Sequence, residues 1–210
     1  MKTQTKETQD NITPEIALNL LKEGNGRFLN SMKADRNLLE QVSDTSEGQF
    51  PFAVVLSCID SRVPAETIFD QGIGDIFSVR IAGNFINEDI LGSIEFACKV
   101  AGSKLIVVLG HTSCGAVKGA CDKVELGNLS AMLKRIQPAV DSVPEEGDRS
   151  SKNKEFVQKV ADANVKMTIE NLKDQSPVLW EMIKAKEVDI VGGMYSVETG
   201  KVEFSQPNFN

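Results

Sequence analysis

The sequence is poor in histidine, tryptophan, tyrosine and cysteine. Its 210 residues include one histidine, one tryptophan, one tyrosine and four cysteines. Four cysteines are too few for a dense disulfide scaffold in a chain of this length. Any site that requires an imidazole must use His111, and a second task for an imidazole, such as carrying a proton to solvent, must fall to other groups.

Basic residues and long apolar runs are also scarce. Asp and Glu together number 30 against 23 Lys and Arg, which gives a net charge of −7. Such a surface repels nucleic acid and anionic membranes, so neither is an expected partner. No segment approaches the ~20 apolar residues of a membrane span, and no apolar leader follows Met1. We therefore expect a cytoplasmic protein without a membrane span, or an exported, periplasmic one if a leader was removed.

Segments typical of buried strands alternate with helical segments along the chain. The strands are predicted at residues 52–57, 75–80 and 104–110, and a hairpin is predicted around Val197–Gly200. This order predicts an α/β fold, with a mostly parallel central sheet flanked by helices and a C-terminal β-hairpin. Thr13 and Pro14 begin a predicted helix.

The length is sufficient for one well-buried domain. Residues 1–11 are charged and polar, which predicts a disordered tail, and residues 12–210 are predicted to form the single domain. Within it, we expect residues 32–51 to be irregular, with at most a short turn at Leu38–Leu39. Residues 129–140 are predicted to form one helix.

Two of the predicted strands end in reactive side chains. Cys58 follows the first, and His111 and Cys114 follow the strand at 104–110. Parallel α/β sheets bind ligands beyond the carboxyl ends of their strands, and two thiolates with one imidazole form the ligand set of some catalytic zinc sites. The alternative is that both cysteines are small core residues. The occurrence of both half-sites at strand ends favours a metal site with an open fourth position.

Asp60 and Arg62 follow Cys58 at alternate positions. They form either a structural ion pair or a catalytic dyad, in which the guanidinium keeps the carboxylate ionised and directed at the reacting water. Asp60 is also a possible fourth metal ligand that closes the site. The spacing permits each of these roles.

Four motifs resemble the β-class carbonic anhydrases, and the resemblance covers residues 12–204. They are Cys58–Glu66 (CIDSRVPAE), Val79–Asn84 (VRIAGN), Ser93–Ala97 (SIEFA) and Gly110–Val117 (GHTSCGAV). The resemblance implies one Zn²⁺ per chain, held by Cys58, His111 and Cys114. It implies reversible hydration of carbon dioxide to bicarbonate and a proton, by attack of hydroxide held on zinc. It also implies a homodimer, tetramer or other higher oligomer with sites at the subunit interface, and it implies that the helix beginning at Thr13 forms an extended N-terminal arm.

The family divides into a plant-like group with an open site and a group closed by the aspartate. The closed group has tryptophan and glycine where this chain has Val55 and Ser57, so the resemblance favours the open site. It also implies substrate-binding roles for Gln49, Phe77 and Phe96. Gly115 is assigned a substrate-binding role on separate grounds, because backbone amides at the predicted helix N-terminus favour negative charge developing on the substrate. Gln49 is otherwise an ordinary loop residue, and the two phenylalanines are otherwise core residues.

Three alternatives remain open on the sequence. An enzyme of the same fold that hydrolyses carbon disulfide or carbonyl sulfide is one, and a non-catalytic zinc protein is the second. The third is a thiol oxidoreductase, which the lack of a Cys-x-x-Cys motif disfavours. Cys98 and Cys121 are assigned to helix packing.

Overall fold

Five strands form one sheet in the computed structural model, which describes residues 2–205. They are β1 (Ala53–Ser57), β2 (Ile76–Arg80), β3 (Leu105–His111), β4 (Asp189–Tyr195) and β5 (Val202–Phe204). Their order is β2-β1-β3-β4-β5, with β5 antiparallel to β4 and the other pairs parallel. The predicted α/β fold and its C-terminal hairpin are confirmed. The last five residues of the predicted 12–210 domain lie outside the described residues.

The two central strands are buried on both faces. Every residue of β1 and of β3 is buried, because helices cover both sides of the sheet. This explains why their sequences are continuous apolar runs instead of alternating patterns. Ser57 lies beside Leu109 in the parallel register, so the two strands end at the same edge of the sheet.

Ten α-helices connect the strands within residues 2–205. They are α1 (Lys6–Asp10), α2 (Pro14–Leu29), α3 (Leu38–Asp44), α4 (Ala65–Ile68), α5 (Glu88–Glu95), α6 (Gly115–Cys121), α7 (Gly127–Leu133), α8 (Gln137–Ser142), α9 (Lys154–Gln175) and α10 (Pro177–Lys184). A π-helical turn at Phe96–Val100 extends α5. Each of these helices is too short or too polar to cross a lipid bilayer.

Helix α2 begins where the sequence predicts. The Thr13 side chain accepts a hydrogen bond from the Ile16 amide, and Pro14 occupies the first turn. Gly24 does not interrupt the helix, but it allows a close approach. A Cβ at this position would lie 1.8 Å from the Phe69 carbonyl oxygen, so only glycine fits there.

The expectation of a disordered tail at residues 1–11 is wrong for the part that the structure describes. Thr5 caps α1 by accepting a hydrogen bond from the Thr8 amide. Gln9 is 1% exposed, and its amide nitrogen donates to the carbonyls of Pro51 (2.9 Å) and Ala101 (2.8 Å). The segment is polar because its anchor is a hydrogen-bonding side chain and not an apolar one.

Two further segments differ from the sequence expectation. Residues 32–51 contain α3, whose apolar residues Leu38, Leu39 and Val42 are exposed while Gln41 is buried. This reversal of the usual pattern conceals the helix from a periodicity argument. The helix expected at 129–140 is two helices, α7 and α8, and Pro138 lies in the first turn of the second, where proline begins a helix more readily than it continues one.

Candidate metal centre

Cys58, His111 and Cys114 converge at the carboxyl ends of β1 and β3. Their ligand atoms all lie within 4.8 Å of one another, and all three residues are buried. The two sulfur atoms are 4.0 Å apart. A tetrahedral ion with metal–sulfur bonds of about 2.3 Å requires a separation of about 3.8 Å. The structure therefore brings the three predicted ligands together at a spacing that fits Zn²⁺.

The imidazole of His111 is oriented by the backbone. Its Nδ1 lies 2.9 Å from the Thr112 carbonyl oxygen, and because a carbonyl only accepts, the proton is on Nδ1. This leaves a lone pair on Nε2, which is buried and has no hydrogen-bond partner in the described part of the chain. A buried polar atom without a partner lowers the stability of the fold by about 1–3 kcal/mol. A metal ion bound to this nitrogen would remove that loss of stability.

Backbone amides surround the two sulfur atoms. The Gly83 N–H donates to Cys58 Sγ at 3.4 Å, and the amides of Ala116 and Val117, at the start of α6, donate to the Cys114 sulfur. Cys114 donates to Cys58, which lowers the pKa of the Cys58 thiol despite its burial. The same hydrogen bond and burial raise the pKa of Cys114. The pair therefore loses one proton easily, and a bound cation would favour loss of the second.

The turn between His111 and Cys114 is fixed at two points. The Thr112 amide donates to the Tyr195 carbonyl (2.9 Å), and its hydroxyl accepts from the Val197 amide (3.1 Å). Ser113 has φ +56°, in the left-handed region. These contacts attach the turn that carries His111 and Cys114 to the end of β4, and they direct Cys114 toward Cys58.

The predicted dyad lies at the edge of this cluster. Arg62 donates to both carboxylate oxygens of Asp60, and these hydrogen bonds hold the pKa of Asp60 well below its usual range. Asp60 Oδ2 is 3.9 Å from His111 Nε2. The carboxylate is thus ionised and lies 3.9 Å from one of the three clustered ligand atoms.

Arg80 is a residue whose role at the site the sequence did not reveal. Its Nε donates to the Cys58 carbonyl (3.0 Å) and its Nη2 to the Asp60 carbonyl (2.7 Å). Arg80 lies beside Ser57 in the sheet register. It therefore fixes the backbone that carries the first ligand and the dyad. Its place at the end of an edge strand was the available signal.

Three of the predicted substrate-binding residues do not reach the cluster of their own chain. Gln49 is exposed before the amino end of β1, and five strand residues, about 16 Å, separate that end from Cys58. Phe77 lies beside Val54, about 13 Å along the sheet from Cys58. Phe96 packs on Phe77 with ring centroids 6.3 Å apart. Gly115, in contrast, directly follows Cys114 at the start of α6.

The two aromatic residues line a separate surface cleft. Its volume is about 810 Å³, and its walls include Ser78, Arg80 and Ser93. Phe96 is 51% exposed. An exposed aromatic side chain in an open cleft is typical of a surface that another molecule covers.

The remaining cysteines lie in hydrophobic clusters, as predicted. Burial raises the pKa of Cys98 to about 12 and that of Cys121 to about 11. Both are therefore protonated at neutral pH and unreactive.

Comparisons with known proteins were made for both sequence and fold. A protein-family model described as carbonic anhydrase matches residues 53–202. Carbonic anhydrase 2 of Mycobacterium tuberculosis is 39% identical over 197 residues, which cover 91% of this chain and 92% of that protein.

Solved structures agree with the sequence matches. The β-carbonic anhydrase of the fungal pathogen Aspergillus fumigatus has a TM-score of 0.70 at 27% identity, covering 91% of this chain and 90% of that chain. A chain from two tetrameric β-carbonic anhydrases of Sordaria macrospora has a TM-score of 0.68, with coverages of 90% and 94%. Its identity of 23% limits that likeness to the fold.

Proposed function

The chain belongs to the carbonic anhydrase family, in its β class, and from this premise we propose that it binds one Zn²⁺ at Cys58, His111 and Cys114. At that site it catalyses the reversible hydration of carbon dioxide to bicarbonate and a proton. The observation that carries the zinc assignment is the convergence of His111 Nε2 and the two sulfur atoms in one buried cluster. Geometrically, that nitrogen has no hydrogen-bond partner within the described residues.

The chain's own groups divide the chemistry between them. Zinc, when bound, supplies hydroxide near neutral pH because it lowers the pKa of water from 15.7 to about 7. Asp60 accepts a hydrogen bond from the reacting water and so directs its lone pair toward carbon dioxide. Arg62 keeps that carboxylate ionised and oriented. The Gly115 amide, at the start of α6, is assigned to negative charge developing on the substrate, because the amides of Ala116 and Val117 already donate to the Cys114 sulfur.

We propose that the resting site is open and that Asp60 does not bind the metal. Both carboxylate oxygens already accept hydrogen bonds from Arg62, and Asp60 is not a member of the cluster of ligand atoms. Val55 and Ser57, which are small and buried in β1, stand where the closed group has tryptophan and glycine. These observations support the open form over one closed by the aspartate.

We further propose that a second copy of the chain completes each site. Gln49, Phe77 and Phe96 are too far from Cys58 to act on it within one chain, so any substrate-binding role requires them to reach a neighbouring chain's metal. The exposure of Phe96 supports this arrangement. The Sordaria macrospora proteins are described as tetrameric, and a dimer is the smallest assembly that satisfies the geometry proposed here.

Stopped-flow carbon dioxide hydration, combined with metal analysis, tests the function. We expect one zinc per chain, fast hydration, and loss of both after treatment with a chelator. Cys58→Ser should lose zinc and activity, whereas Cys121→Ser, which alters another buried cysteine, should retain both. A zinc-loaded chain that does not hydrate carbon dioxide would identify a non-catalytic zinc protein. Preferential turnover of carbon disulfide or carbonyl sulfide in a competition assay would identify the related hydrolase.

A further inference from the structure

Asn164 is a buried polar residue on the core-facing side of α9, where Thr168, one turn further on, is also buried. It is 3% exposed and lies on α9 near Val160, Ala161 and Val165, which are core residues. Placing an amide among apolar side chains costs free energy unless its hydrogen bonds are satisfied. Its Nδ2 donates to the Gly83 carbonyl at 2.8 Å, across 81 positions of sequence. The residue therefore has one specific partner, in the turn after β2.

Gly83 connects that partner to the metal centre. Its own N–H donates to Cys58 Sγ at 3.4 Å, while its carbonyl accepts from Asn164. Its φ of +84° lies in the region that favours glycine, and a Cβ here would lie 2.4 Å from Ile136 Cδ1. The position of the turn is thus fixed by packing on one side and by Asn164 on the other.

We propose that Asn164 is a positioning residue for the metal centre, because it holds the Gly83 turn so that the Gly83 amide points at the Cys58 sulfur. A hydrogen bond to a thiolate draws electron density from the sulfur. The ligand then donates less charge to the ion, and the ion remains a stronger Lewis acid. Two thiolates donate more charge to the ion than neutral imidazoles would. A hydrogen bond that reduces the donation from one of them therefore favours hydroxide formation near neutral pH.

This inference rests on the proposed zinc site and makes a separate claim about it. Outer contacts of this kind typically change metal affinity or activity by about 10–100-fold when they are removed. A residue with a purely structural role would instead lower the stability of the fold and leave the properties of the metal–sulfur bond unchanged. The two roles are separated by measurements on the metal itself.

The test compares Asn164→Leu with Asn171→Leu. Asn171 lies seven residues further along the same helix, about two turns, and is half-buried. The variants receive Co²⁺ for spectroscopy and Zn²⁺ for chelator competition. We expect Asn164→Leu to bind zinc about 10–100-fold more weakly and to shift the sulfur-to-cobalt charge-transfer band to longer wavelength. Asn171→Leu should match the wild type in both measurements.

If the leucine variant does not fold, Asn164→Ser provides the same comparison. Serine is smaller than asparagine and has a polar hydroxyl in place of the amide. Asn164 variants with wild-type zinc affinity and an unshifted cobalt band would overturn the proposal, even if they were less stable. Carbon dioxide hydration is measured separately on the wild type. A wild-type chain that binds zinc without activity would refute the proposed function while the cobalt and affinity comparison still decides the role of Asn164.

Discussion

Arg62 binds both carboxylate oxygens of Asp60, with Nε 2.9 Å from Oδ1 and Nη2 2.7 Å from Oδ2. The Arg62 amide also donates to Oδ1 at 3.0 Å. Three hydrogen bonds from one residue fix the carboxylate in a single orientation 3.9 Å from His111 Nε2. Since the pKa of Asp60 is lowered, the group is ionised wherever the enzyme is folded near neutral pH. In the proposed function the pair serves as one oriented hydrogen-bond acceptor for the reacting water.

Replacing Arg62 with glutamine should slow carbon dioxide hydration by about 10²-fold, the lower range for a positioned acid–base group. The pKa of Asp60 would rise toward 3.8, its ordinary value. That value is still acidic, so no new acid limb should appear near neutral pH, and the loss reflects orientation and not protonation. Stopped-flow rates across the pH range measure this.

The matched control is Lys201→Gln. Lys201 and Glu203 form another ion pair at alternate positions, at 2.8 Å, but at the start of the edge strand β5, where both side chains are exposed. We expect wild-type hydration rates from this variant. An Arg62→Gln enzyme as fast as the control would show that the pair is structural.

Turnover should depend strongly on the buffer concentration. His111 is the chain's only histidine, and it is fully buried with Nδ1 bonded to Thr112. Burial raises the pKa of Tyr195, so that phenol is a poor proton carrier at neutral pH. Without an internal imidazole, the product proton must pass to external buffer. We expect kcat to rise with buffer concentration while kcat/KM does not change, as measured by stopped flow. A kcat independent of buffer would reveal an internal proton route.

The sequence predicted the metal ligands because they lie beside strands whose burial is evident in their composition. Cys58 and His111 follow continuous apolar runs, and parallel strands align their carboxyl ends. The contacts of Arg80 and Asn164 depend on backbone carbonyls and on the meeting of distant elements. Asn164 leaves no local pattern, and the only signal for Arg80 is its place at the end of an edge strand, so the sequence did not assign these contacts.

The same reasoning explains the error at the N-terminus. Composition reports whether a segment can bury apolar surface, but α1 is attached by the amide of Gln9 and not by an apolar face. Helix α3 was missed because its apolar residues face outward while Gln41 is buried. A periodicity argument assumes the opposite arrangement.

Gln9→Ala should destabilise the protein by about 1–3 kcal/mol, because it removes the donor to the part-buried Ala101 carbonyl and leaves the buried Pro51 carbonyl with the Ser103 hydroxyl alone. Glu7→Ala, on the exposed side of the same helix, should change the free energy of unfolding by less than about 0.5 kcal/mol. Urea denaturation of the metal-loaded protein measures both. Equal effects from the two variants would mean that α1 contributes little to the stability of the fold.

Asp70 and Asp75 are both buried carboxylates, and they should respond to asparagine in opposite ways. Burial raises the pKa of Asp70, but hydrogen bonds from Arg27, Arg36 and the Ala34 amide outweigh it, so this pKa is lowered. A lowered pKa contributes stability above the unfolded value, which is lost as the pH falls through the folded pKa. Burial also raises the pKa of Asp75, and the Gly72 amide offsets only part of the effect. Its charged form therefore costs stability at neutral pH, and this cost disappears as the pH falls through that raised pKa.

Asp70→Asn should therefore lower the free energy of unfolding by about 3 kcal/mol at neutral pH, because it removes the buried carboxylate charge that accepts from Arg27 and Arg36. Asparagine tolerates the φ of +45° at this position, so the backbone should not contribute. Asp75→Asn should be neutral or stabilising, since the side-chain oxygen can still accept from the Gly72 amide. Urea unfolding at about pH 7 and about pH 4 separates the two. The Asp75 difference from wild type should shrink at the lower pH, whereas the Asp70 difference should remain almost complete, because the lowered pKa of Asp70 loses its contribution only below the unfolded value. A large loss from Asp75→Asn at neutral pH would show that its charge is paired and stabilising, against the direction of its pKa.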